Sequence, residues 1–280
     1  MKFKIVHETT YTFTSEIFLE PHYFRFKPKT TPHIKLKAFS LNIKPQPAGL
    51  SHQYDAEDNH VHFGWFNGLH SKLEVYAESV VEVEHYNPFN FLIYPSSFNT
   101  LPFEYSKTLK QVLLVALAHG KLSKELVAYG DYILKSSNNS TLKFITDLTI
   151  QIHNDFVLEY RHFGSPLEPD MTFKTKRGSC RDFTWMQIQL LRHLGIAARF
   201  VSGYYYIEIE EPNYELHAWL EVFIPGAGWL GFDPSNGIMV EQNHIPVASS
   251  VNFMDTMPVT GTIRGNATSE LTTNLLIEVI

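Results

Sequence analysis

The only cysteine of this chain, Cys180, stands in Lys-Arg-Gly-Ser-Cys-Arg-Asp-Phe, directly ahead of an amphipathic segment. One thiol cannot close an internal disulfide, but its thiolate is a nucleophile. Downstream come His217, in Leu-His-Ala-Trp-Leu-Glu-Val, and Asp233, in Gly-Phe-Asp-Pro-Ser. Cysteine, base and orienting carboxylate in that order suit thiol-dependent acyl transfer: an imidazole takes the thiol proton and a carboxylate fixes the imidazole tautomer. Each residue also has a plainer reading. A lone cysteine packs as a small apolar residue, His217 sits beside Trp219 as a core histidine would, and Asp233-Pro234-Ser235 reads as a strand-ending turn.

Neighbouring residues extend the candidate site. A helix starting near Cys180 would point free N–H groups and a positive end at the sulfur, favouring thiolate, and a protonated His217 would add the same bias. The Arg181 guanidinium suits a substrate carboxylate or support of the thiolate, and equally a solvated helix end. Trp219 and Trp229 are candidate walls of a substrate groove, with core packing as the alternative. Gly178 and Ser179 read as a narrow approach to the thiol or as a turn and N-cap.

The elements that must position these groups fall into two regions. Alternating, β-branched stretches at Lys4–Phe13, Lys35–Ile43, His60–Phe66 and Lys72–Val83 predict an antiparallel β-domain over residues 1–95. A proline- and asparagine-rich linker follows near Asn87–Phe103. Helical spacing then recurs at Thr108–Ala118, Ser123–Ser136, Thr141–Phe156 and Arg181–Leu194, with Gly195 as a stop. Strands through Tyr206, over Leu216–Ile224 and over Trp229–Asp233 follow, with Pro225-Gly226-Ala227-Gly228 as a hairpin turn and Leu271–Ile280 as a further strand. On strand Leu216–Ile224, His217, Trp219, Glu221 and Phe223 share one face, and the residues between them share the core face. Helices followed by antiparallel strands predict an α+β catalytic domain over residues 105–280.

Composition bounds the rest. The 280 residues, 44% hydrophobic and 19% charged, predict a folded chain with a substantial core. A formal charge of -6 gives no general attraction to nucleic acid or anionic membrane, and neither partner is expected. The start, Met-Lys-Phe-Lys-Ile-Val-His-Glu, lacks the apolar stretch of a signal peptide, and Val112–Ala118 is too short to span a bilayer, so a cytoplasmic location is expected. His60 and His62 share a strand face, but no Cys/His/carboxylate set argues for a metal and no glycine-rich loop for a nucleotide. No cofactor or metal is therefore expected.

Taken together, the motifs resemble the transglutaminase-like superfamily, in its bacterial form with an amino-terminal β-domain. Gly178-Ser179-Cys180-Arg181-Asp182-Phe183 is similar to the nucleophile region, and Leu194 to Tyr204 to the helix-to-strand passage after it. His217-Ala218-Trp219-Leu220-Glu221-Val222 and Gly228 to Pro234 complete the series. The resemblance implies a papain-like core with Cys180 as nucleophile, His217 as base and Asp233 as the acid that orients it. It implies peptide or protein substrates, with water or a primary amine accepting the acyl group, and the family also holds members without demonstrated catalysis. Ser179 and Arg181 depart from the usual neighbours of the nucleophile, and His244 to Ser250 lacks the common Gly-Arg-Asp extension.

Overall fold

A computed structural model describes residues 1–161, 164–209 and 214–280. The first strand, β1 (Lys2–Phe24), is followed by β2 (Ile34–Lys44), β3 (Gly49–Tyr54), β4 (His60–Trp65) and β5 (His70–Val83). Burial alternates along the first half of β1, with Phe3, Ile5, His7 and Thr9 inward, as a strand with one covered face requires. That half pairs with β5, Phe3 opposite Val81 and His7 opposite Ala77. The second half pairs instead with β4, His22 opposite Gly64. One long strand thus serves two antiparallel sheets, with Ile17, Leu19, Phe24, Leu73 and Val75 in the core of this region.

Among the described residues five α-helices follow: α1 (Lys107–Val112), α2 (Lys124–Ser136), α3 (Thr141–Asp155), α4 (Pro169–Thr175) and α5 (Cys180–His193). The helix expected over Thr108–Ala118 is shorter than its pattern suggests, because no residue of α1 is buried and a 3-10 turn takes over at Val115–Leu117. Between these helices lie two short strands, β6 (Val157–Leu158) and β7 (Arg177–Gly178). A separate five-stranded sheet comprises β8 (Ala198–Tyr205), β9 (His217–Ile224), β10 (Gly228–Asp233), β11 (Ile238–Met239) and β12 (His244–Ser250), in the order β11-β10-β9-β8-β12. Its face formed by Ala218, Leu220, Val222 and Ile224 packs with Phe183, Ile188 and Leu191 of α5 in one apolar core. An α+β architecture results. Among the described residues, no helix is long and apolar enough to cross a membrane.

The chain ends with β13 (Val259–Arg264) and β14 (Ser269–Val279), both paired with β1. A boundary at about residue 105 leaves these strands in the catalytic domain, whereas in the structure they complete the amino-terminal sheets. Each half of β1 has a second edge whose N–H and C=O groups need partners, and these two strands supply them. Leu275 and Ile277 are buried with Phe3, Ile5, Tyr204 and Ile245, so the returning strand also helps to fill the seam between the two sheet systems. Lys29 adds a polar tie across it, donating to Asn59 Oδ1 at 2.9 Å and Ser249 Oγ at 3.0 Å.

Candidate active site

Cys180 is the first residue of α5, and the turn before it is built to stop there. Ser179 donates through its backbone N–H (2.6 Å) and its hydroxyl (2.7 Å) to Asp182 Oδ2, locking the helix start. Asp182 is fully buried, and its other oxygen accepts from Arg161 Nη2 at 2.5 Å and from the Leu167 N–H at 2.7 Å. The Asp after Cys180-Arg181 therefore fixes the nucleophile loop, a role that its capping spacing alone does not reveal. Cys180 remains partly exposed.

His217 opens β9 and Asp233 closes β10. The hairpin register sets Phe232 opposite Leu220, so its continuation leaves Asp233 opposite Trp219 and diagonal to His217 on the same face. The diagonal closes: His217 Nε2 lies 2.7 Å from Asp233 Oδ2. Nδ1 is then the ring nitrogen left for the thiol, and the Cys180 side chain raises the proton affinity of this imidazole. Burial opposes a charge on His217, but the Asp233 carboxylate and the hydrogen bonds to Asp233 and Cys180 outweigh it and push the imidazole up to about 10. Asp233 is also buried, which favours its neutral form, yet His217 and His244 hold it well below the usual carboxylate range.

Sequence reasoning missed the cradle around that carboxylate. Oδ2 also accepts from His244 Nε2 at 3.1 Å and Asn236 Nδ2 at 2.7 Å, while Oδ1 accepts from the Ser235 N–H at 3.0 Å and hydroxyl at 2.6 Å. Ser235 and Asn236 form the turn after Asp233, where short polar side chains fold back on the backbone, and that pattern was a usable signal. His244 arrives from β12, and no spacing in the chain announces it. The Glu241 N–H donates to His244 Nδ1 at 3.4 Å, so the ring proton sits on Nε2 and faces Asp233. Burial lowers the proton affinity of His244, which leaves one neutral imidazole and one imidazolium on a single carboxylate. The three ligand atoms of His217, Asp233 and His244 lie within 4.8 Å of one another, as metal ligands can, but hydrogen bonds account for their convergence.

A cleft of about 110 Å³ opens at the thiol, lined by Tyr160, Arg161, Cys180, Tyr205, Tyr214 and His217. Arg181 lines it too and donates to the Arg161 carbonyl. The two tryptophans expected to wall the groove stand elsewhere. Trp219 is 1% exposed, with its ring edge-on to His244 at 5.2 Å, because it lies over Gly203 of β8, which has no side chain, and so reaches β12. Trp229 lies at the turn end of the β9–β10 hairpin, against Phe223 at 5.4 Å and beneath the Arg199 guanidinium at 4.2 Å. Tyrosines supply the aromatic walls instead.

Comparison with known proteins bears on the family and the fold. Residues 3–82 match the bacterial transglutaminase-like N-terminal region and residues 128–234 match the transglutaminase-like superfamily core. An uncharacterized protein of Mycobacterium tuberculosis is 24% identical over 290 residues, covering 95% of this chain and 88% of its own. A protein-glutamine gamma-glutamyltransferase of Pseudomonas aeruginosa is 32% identical over 80 residues, 26% of this chain and 12% of that protein. The crystal structure of a candidate cysteine protease from Cytophaga hutchinsonii superposes with a TM-score of 0.71 at 19% identity, covering 100% of this chain and 91% of its own. That likeness extends to the fold.

Proposed function

The chain belongs to the transglutaminase-like superfamily, and from that premise we propose that it cleaves peptide or carboxamide bonds through a Cys180 acyl-enzyme. The observation that carries the reading is His217, held between the thiol and a buried carboxylate in the lining of a cleft. The Cys180 sulfur attacks the carbonyl carbon, and the imidazolium of His217 gives its proton to the departing amine or ammonia. His217 then takes a proton from water as that water attacks the thioester. The acid leaves and the thiol–imidazole pair is restored. Asp233 keeps the imidazole upright and balances its charge. As the first residue of α5, Cys180 has an N–H without an acceptor inside the helix, available to the oxyanion.

A primary amine in place of water turns the same intermediate into a transglutaminase, the activity named for the Pseudomonas aeruginosa relative. Hydrolysis is favoured because Cys180 is partly exposed and a transferase must exclude water from its thioester. Purified protein incubated with peptide amides, with and without a primary amine, separates the two by released acid against amine conjugate. Capture of the Cys180 acyl adduct by mass spectrometry supports either; peptide affinity with neither product nor adduct supports a binding module. A reducing compartment such as the cytoplasm, which keeps a lone thiol free, is part of this proposal.

A further inference from the structure

Behind the catalytic cleft lies a second cavity of about 100 Å³, and the two share Arg161, Arg181, Tyr214, Glu215 and Leu216 as a common wall. Its floor comes from the other end of the sequence. Tyr11 and Thr9 of β1 lie directly opposite Leu271 and Thr273 of β14, and all four line the cavity. Met257, Pro258 and Leu275 add apolar surface. His7 and Thr9 of the lining belong to a polar relay, in which His7 joins Tyr204 Oη at 3.2 Å and Thr9 Oγ1 at 3.3 Å.

We propose that this cavity is a second subsite of the same cleft, which receives a large apolar side chain of an extended peptide substrate. The inference rests on the acyl-enzyme reading above and gives the amino-terminal β-domain a function: its sheet forms one wall of the specificity pocket. Continuity supports it, because residues on both sides of Cys180 line both chambers. The lining supports a neutral occupant. Arg161 is paired with Asp182 at 2.5 Å, and among the described residues the Glu215 carboxylate acts on the Arg181 guanidinium, so both cations of the partition already face an anion. The apolar part of the lining, from Leu216, Leu271, Leu275 and Met257, gains from covering hydrocarbon rather than a charged group.

The test uses acetylated pentapeptide amides in which one phenylalanine is walked through an alanine background. One phenylalanine position is expected to raise kcat/KM at least about tenfold over the all-alanine peptide. Thr273→Trp, built from an exposed position on the floor, fills the cavity and brings that ratio to within about twofold of one. Leu271→Trp blocks it from the neighbouring cross-strand pair. Thr272→Trp, on the opposite face of β14, retains the preference. Calorimetric affinities of the Cys180→Ala protein for the same peptides read the subsite without turnover. If no amide is cleaved but the affinities follow this order, the hydrolase reading falls and the subsite stands. Equal affinity and rate at every phenylalanine position, or a preference that survives both cavity-filling variants, overturns the subsite.

Discussion

Replacing Asp233 by asparagine changes one oxygen to nitrogen yet removes the charge on which the site depends. At about 1.36 kcal/mol per pH unit, the rise of His217 from 6.5 to about 10 corresponds to roughly 5 kcal/mol in favour of the imidazolium, shared between Asp233 and Cys180. The amide also fits badly. Oδ2 faces donors from His217, His244 and Asn236, and Oδ1 faces the Ser235 N–H and hydroxyl, so an NH₂ group meets donors in either orientation. Asp233→Asn is therefore expected to move the basic limb of kcat/KM from near 10 toward 6.5 and to slow acylation about 10²- to 10⁴-fold at neutral pH. His217→Ala should be slower still, since it removes proton transfer itself. Nitrogen-15 NMR of labelled histidine reads the same titration without a substrate. A His217 titration that stays near 10 in Asp233→Asn would falsify the assignment of its charge partner.

Three further outcomes follow from the same geometry. His244→Phe keeps the ring volume but takes one donor from Asp233, so kcat should fall about tenfold with KM little changed; equal loss in both parameters would count against a positioning role. A Cβ at Gly203 would lie 2.3 Å from the Ile245 carbonyl and 2.5 Å from the Trp219 ring, so Gly203→Ala should cost about 3 kcal/mol in urea unfolding and disturb His217, its cross-strand partner. An unchanged urea midpoint would contradict that packing. Burial holds His7, His60 and His62 down at about 4, so these groups stabilise the fold above pH 6.5 and the contribution is lost as pH falls toward 4. The urea midpoint should drop steadily between pH 7 and 4.5, and a flat profile would show that these rings protonate without cost.

The three groups proposed for the chemistry were legible in the sequence because each sits at an element boundary marked by local chemistry. Ser179 and Asp182 announce a helix start at Cys180, twofold alternation separates His217 from the core face of its strand, and Pro225 to Gly228 folds the hairpin that returns Asp233. Pairing between distant strands was not legible, since hydrogen-bonded edges carry no side-chain label and a one-residue shift reverses every face. Only the folded chain could therefore bring β14 back to β1 and set His244 against Asp233. The tryptophans show the same limit. Alternation correctly put Trp219 on the face of His217, but whether that ring meets a groove depends on what packs around it, and it lies over Gly203 against His244. Local sequence thus determined which groups stand at the ends of which elements; the tertiary structure decided which surfaces stay open, because solvent exclusion is a property of packed layers rather than of any one strand.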